Sequence, residues 1–256
     1  MNRGLQIRAT KNSERPSFAL LLAAHGERRE DAENASVARL AGNLAAAGVA
    51  TEVGFGFIKG TPAVDEAIRA LSLPHIIVYP LFLADGYFTR VVLAQLIEQS
   101  KRQDQIITVL APLGLDPALG DLIVDEVLDA ARYHSIWPEE VTVVLVAHGS
   151  TNDRASRIAT EQLADCVRGR RCFRDTRIAL LEEAPSLAEA TADTPGPIIV
   201  VGLFAGEGMH GLNDARRLVM ELGRDNIVLV GPVGTFRGLD AIVATAVTQS
   251  RNLASK

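Results

Sequence analysis

The sequence predicts an α/β protein of two tandem, similar domains, each a small parallel sheet flanked by helices. Three observations predict it. The chain is written twice, its apolar runs are short and nearly continuous, and the stretches between those runs carry helical spacing. Phe18–Gly26 (FALLLAAHG) returns as Val141–Gly149 (VTVVLVAHG), and His75–Phe88 (HIIVYPLFLADGYF) returns as Pro197–His210 (PIIVVGLFAGEGMH). Four blocks recur in the same order, with His25 and His148 separated by 123 positions, Pro80 and Gly202 by 122, and Pro112 and Pro232 by 120. A repeat of this length matches the ordinary size of one domain.

Each element follows from local pattern. Runs such as ALLLAA and TVVLVA are apolar without alternation, as strands buried on both faces are. Between them, Glu33–Ala47 places Val37, Leu40, Ala41 and Leu44 at intervals of three and four, and Asp214–Leu222 does the same with Ala215, Leu218, Val219 and Leu222. Strand alternating with helix gives parallel sheets, about four strands to each domain. Pro138 breaks the pattern within HSIWPEE, so the domains are expected at 17–137 and 138–256. Residues 1–16 are polar and mildly basic, and read as a disordered leader.

Composition narrows the function. The chain has 256 residues, is 48% hydrophobic and 22% charged, and carries a net charge of −5. That acidity argues against nucleic-acid binding, which needs a basic footprint. The N-terminus lacks the apolar segment of a secretory signal, and no run of roughly 18 apolar residues exists, so a cytoplasmic protein with no membrane partner is expected. The two cysteines, Cys166 and Cys172, are too few for a four-cysteine metal site and read as ordinary thiols.

In open parallel sheets, ligands bind beyond the carboxyl ends of the strands. There the copies differ. Both keep a strand-end histidine, His25 and His148. The second copy adds His210 after its third strand, where the first has Phe88. The second copy also has Glu182 and Glu183 after its second strand, where the first has Ile58 and Lys59. Two imidazoles and a carboxylate suit a borderline divalent metal, or proton abstraction near neutral pH. A lone strand-end histidine is more often a hydrogen-bonded structural residue, and His75 and His134 are read that way. Convergence of two histidines and a glutamate from three segments favours a site. GLFAGEG lacks the G-x-G-x-x-G spacing of a dinucleotide loop; Gly206 and Gly208 are expected to let the backbone approach a flat ligand. Ala24 and Ala147 stand where the histidine phosphatases need arginine beside their histidine, so phosphoryl transfer is not expected. Arg28, Lys59, Arg90 and Arg154 lie near strand ends and are candidates for meeting carboxylates.

Taken together, the repeated strand-His-Gly start, His148-Gly149-Ser150, PLFLADGYF, GLFAGEGMHG and LLEEAPSL resemble the sirohydrochlorin chelatases of siroheme and cobalamin synthesis in their long two-domain form. The resemblance runs from about Phe18 to Val247. It implies the class II chelatase fold, with two α/β domains facing each other across a cleft, and insertion of a divalent metal into sirohydrochlorin. It implies metal binding by His148 and His210, with Glu182 assisting and Glu183 open as the alternative. Phe88 then leaves the first domain without a complete site. His25, Ser150, Gly206, Gly208, Arg28 and Arg90 become candidates for contacting the tetrapyrrole. No organic cofactor is implied, and a chain holding both copies is expected to act as a monomer. Family members insert Fe²⁺ or Co²⁺. The His-rich tract of many cobalt-handling members is missing here, so Fe²⁺ and siroheme are expected. The alternatives are a cobaltochelatase and a carrier that binds tetrapyrrole or metal without catalysis.

Overall fold

A computed structural model describes residues 17–26, 35–206 and 209–254, with 209–212 and 254 described by backbone alone. The expected leader therefore lies outside the described residues. The first sheet holds β1 (Ala19–Ala24), β2 (Glu52–Phe57), β3 (His75–Pro80) and β4 (Ile106–Val109) in the order β2-β1-β3-β4. The second holds β5 (Thr142–Ala147), β6 (Asp175–Leu180), β7 (Ile198–Gly202) and β8 (Ile227–Val230) in the order β6-β5-β7-β8. All pairs are parallel, as the uninterrupted apolar runs predict. The two sheets even share their register: Ala24 pairs Phe57 as Ala147 pairs Leu180, and Ala23 pairs Pro80 as Val146 pairs Gly202.

The period-two geometry of a strand sends successive side chains to opposite faces. In β1, Leu20, Leu22 and Ala24 join a central core, and Ala19, Leu21 and Ala23 an outer one. In β5, Val143, Leu145 and Ala147 join the same central core, and Val144 and Val146 a third cluster. Each such fully buried Leu or Val contributes roughly 1.5–3 kcal/mol. The outer faces are covered by α2 (Val64–Ala70) and α3 (Ala94–Ser100) on the first sheet, and by α6 (Leu187–Thr191) and α7 (Met209–Glu221) on the second. At the edge of the first sheet, β4 leaves Ile106 and Val109 60% and 46% exposed.

Between the sheets lie α1 (Ala35–Ala46), α4 (Pro117–Tyr133), α5 (Ala155–Gly169) and α8 (Leu239–Ala254). The helical stripe expected in the first copy is the buried face of α1, formed by Ser36, Val37, Leu40, Ala41 and Leu44. The last helix of each copy crosses over. The first copy's α4 packs beside α5 and against β7 and β8 of the second sheet; the second copy's α8 packs beside α1 and against β3 of the first. Gly120 permits the close approach of α4 to α5, since a Cβ there would stand 2.8 Å from Cβ of Cys166. Arg170, just past the end of α5, reinforces it through an Nε hydrogen bond to Asp121 at 2.6 Å. The repeat unit of the sequence is thus not the packing unit of the fold. Among the described residues, no helix is long and apolar enough to cross a membrane.

Candidate active site

Strand order reverses beside β1 in the first sheet and beside β5 in the second, and ligands of open α/β sheets sit at that switch point. There a cleft of about 770 Å³ opens between the halves. His25 follows β1 and His148 follows β5, and both line it. Each is followed by a glycine at φ 71°, a left-handed conformation that side chains resist. A Cβ at Gly26 would overlap the Lys59 carbonyl, and one at Gly149 would come within 3.0 Å of Leu180 Cβ and Glu183 Cγ. The geometry shared by the two His-Gly turns therefore rests on a steric requirement.

The backbone corrects the expected correspondence at the second strand end. The N–H of Lys59 donates to the His25 carbonyl at 2.7 Å, and the N–H of Glu182 donates to the His148 carbonyl at 2.9 Å. Lys59 is thus the counterpart of Glu182, and Gly60 of Glu183; the pairing with Ile58 and Lys59 was one residue out of register. A cation and an anion occupy equivalent positions on opposite walls of the cleft.

The structure also separates the two glutamates. Glu183 accepts the Ser150 N–H at 3.0 Å and the Arg157 Nε–H at 3.0 Å, with a second Arg157 nitrogen at 2.6 Å. The Ser150 amide and then the Arg157 guanidinium hold its carboxyl below the ordinary carboxylate range. Glu183 thereby ties the His148–Ser150 turn to the start of α5. Glu182 lines the cleft, and its carboxylate meets no hydrogen-bonding or ionic partner among the described residues. Glu183→Gln is expected to speed amide exchange at Ser150, because the neutral amide is a weaker acceptor. Glu182→Gln should leave that exchange unchanged; hydrogen exchange read at Ser150 checks both.

Aromatic rings back the imidazoles. His25 meets Phe88 edge-on at 4.5 Å, and His148 meets Phe204 edge-on at 5.5 Å. Burial lowers the His25 pKa from the ordinary 6.5, and the charges of Lys59 and His148 add to that effect. His25 is therefore neutral at neutral pH, with a lone pair free for a proton or a metal. Because the folded value lies below the unfolded one, its stabilising contribution is complete above pH 6.5 and is lost as the pH falls through the lowered value. NMR titration of the His25 ring should show a midpoint below 6.5 that rises in Lys59→Gln.

Other candidates fall at several places. Ser150 and Gly206 line the cleft. Ser150 Oγ accepts from the N–H groups of Asn152 and Asp153 at 3.2 Å each, closing its loop. Arg90 pairs with Asp85 at 2.9 Å and is not among the residues lining the cleft. Arg154 caps the start of α5, where its charge acts on Glu183. Arg28, Gly208 and the His210 side chain lie outside the described residues; the His210 backbone falls in the first turn of α7, which follows β7. Among the described residues, no three His, Cys, Asp or Glu side chains gather as a metal site. His75 begins β3 and is exposed. Sequence reasoning missed the bridge from Tyr87 in the first half, whose N–H donates to Asp153 in the second at 3.3 Å. No sequence pattern marks such a contact between halves.

Comparison with known proteins fits this geometry. A CbiX of known structure, the terminal enzyme of siroheme biosynthesis in denitrifying bacteria, superposes with a TM-score of 0.76 at 23% identity, over 91% of this chain and 98% of that one. SirB from Bacillus subtilis with Fe³⁺ gives 0.76 at 19% identity, over 91% and 95% of the two chains. These likenesses define the fold as class II chelatase-like: two parallel four-stranded sheets flanked by helices. The CbiX family model matches residues 19–130 and again 142–250, and the chain belongs to the CbiX family. A Halobacterium salinarum protein named "Probable sirohydrochlorin cobaltochelatase" is 22% identical over 219 residues, 77% of this chain and 74% of its own.

Proposed function

We propose that this protein inserts a divalent metal into sirohydrochlorin, with Fe²⁺ giving siroheme as the first reading and Co²⁺ as the second. The observation that carries it is the placement, at neighbouring strand ends of one wall of the cleft, of His148 and of Glu182, whose carboxylate meets no partner among the described residues. His210, on the first turn after β7, supplies the third strand end of that wall. In this reading His148 and His210 hold the incoming ion through neutral imidazole nitrogens, which suit both metals. Two pyrrole N–H protons leave as the ion enters, and Glu182 with the released imidazoles accepts them. Among the described residues, the first-half wall offers neither a second histidine nor a carboxylate, so one metal is handled per chain. The relatives' names point both ways on the metal: one to cobalt, one to siroheme. The preference for iron rests on the missing His-rich tract. A single chain holding both walls acts as a monomer in the cytoplasm, with no organic cofactor.

Anaerobic mixing of sirohydrochlorin with Fe²⁺ and with Co²⁺, followed by absorbance, tests the reading. Rates well above the uncatalysed background are expected, and their ratio identifies the metal. Tight sirohydrochlorin binding with no acceleration by either ion would make the protein a carrier and overturn the proposal.

A further inference from the structure

Lys59 occupies the place that Glu182 holds on the other wall, fixed by the same backbone hydrogen bond to the preceding histidine. Among the described residues lining the cleft, it is the one lysine or arginine. Its ammonium sits over the Phe88 ring, 5.5 Å from the centroid, and makes no ion pair with any described residue. Phe88 itself stands where the second copy has His210. So the two positions beside His25 that match Glu182 and His210 hold an ammonium and a phenyl ring. An ammonium repels a divalent cation, and a phenyl ring offers no lone pair. What this wall can do is hold an anion against an apolar, aromatic surface. Lys59 is exposed, so its ammonium, set over the ring at the cleft, is reachable for a charge-assisted bond to a carboxylate.

We infer that Lys59 anchors a carboxylate of the tetrapyrrole, so that the first half grips the acidic rim of the substrate while the second half handles the metal. The inference rests on the chelatase reading above. It makes Lys59 a determinant of specificity for polycarboxylate macrocycles.

The test is a titration of metal-free sirohydrochlorin, and of its fully esterified form in matched cosolvent, into wild type, Lys59→Gln and Lys59→Arg. Binding of the free acid should weaken about tenfold in Lys59→Gln, the scale of one charge-assisted bond, and stay within about threefold in Lys59→Arg. The ester should bind wild type and Lys59→Gln alike. Equal affinity of wild type and Lys59→Gln for the acid would overturn the assignment while leaving the chelatase reading intact. So would an equal loss for acid and ester, which would point to packing instead of charge. Wild type that binds no sirohydrochlorin would remove the chelatase reading, and this assignment with it.

Discussion

His148→Ala and His210→Ala are each expected to lower metal insertion by roughly a thousandfold, against less than about tenfold for His25→Ala. The asymmetry follows from the walls of the cleft. On the second wall His148 stands beside Glu182, whose carboxylate no described residue claims. On the first wall His25 stands beside Lys59 and packs edge-on against Phe88. In the proposed chelatase reading, removing His148 takes a ligand or base from a set with no duplicate among the described residues. Removing His25 takes away a ring whose described neighbours, Lys59 and Phe88, offer no ligand for the ion. Anaerobic single-turnover absorbance with all three variants measures the difference. Equal losses from His25→Ala and His210→Ala would place the chemistry on both walls, and the assignment to the second half would fall.

The second large effect is expected at two glycines remote from the chemistry. Gly114 donates its N–H to the Phe82 carbonyl at 3.0 Å, and Gly234 repeats this with Phe204 at 3.0 Å. A Cβ at Gly114 would collide with the Leu83 carbonyl, and one at Gly234 with that of Ala205. The obstacle in each case is backbone, so the strand-end segment itself must move. Leu83 and Ala205 both line the cleft. Gly114→Ala and Gly234→Ala should therefore each cost roughly 3 kcal/mol, or about 6–12 °C in Tm. Gly234→Ala should also slow insertion, because it displaces the wall carrying Gly206. Gly42, inside α1, provides the contrast: a Cβ there meets nothing within 4 Å. Gly42→Ala should raise stability by roughly 0.5–1 kcal/mol. Thermal unfolding of the three variants checks the set, and an unchanged Tm in Gly234→Ala would refute the steric argument.

Much of this was legible in the chain itself. The repeat, the uninterrupted apolar runs and the helical stripe at Val37, Leu40, Ala41 and Leu44 led directly to two parallel four-stranded sheets. His25 and His148 came from the rule that strand ends bind ligands, and both line the cleft. Three features were not legible, each for a physical reason. Register beyond a strand end depends on backbone bonding, so Lys59 and not Ile58 proved to face Glu182. Arg90 is near a strand end in sequence, yet Asp85, five residues away, takes its charge. An amphipathic stripe says that a helix is buried but not against which sheet, so the exchange of α4 and α8 was invisible.

That exchange bears on how the two walls came to differ. Two separate identical copies trading their last helices would form the same central core, but symmetry would oblige both walls to carry the same residues. In one covalent chain the partner is always present at high effective concentration, and each copy is encoded on its own. Lys59 and Phe88 can then depart from Glu182 and His210 without altering the opposite wall. Severing the chain between Tyr133 and Thr142 should leave two fragments, each holding the helix that the other's sheet needs. Neither would fold alone, while the mixture would reassemble into an intact protein with two unlike faces.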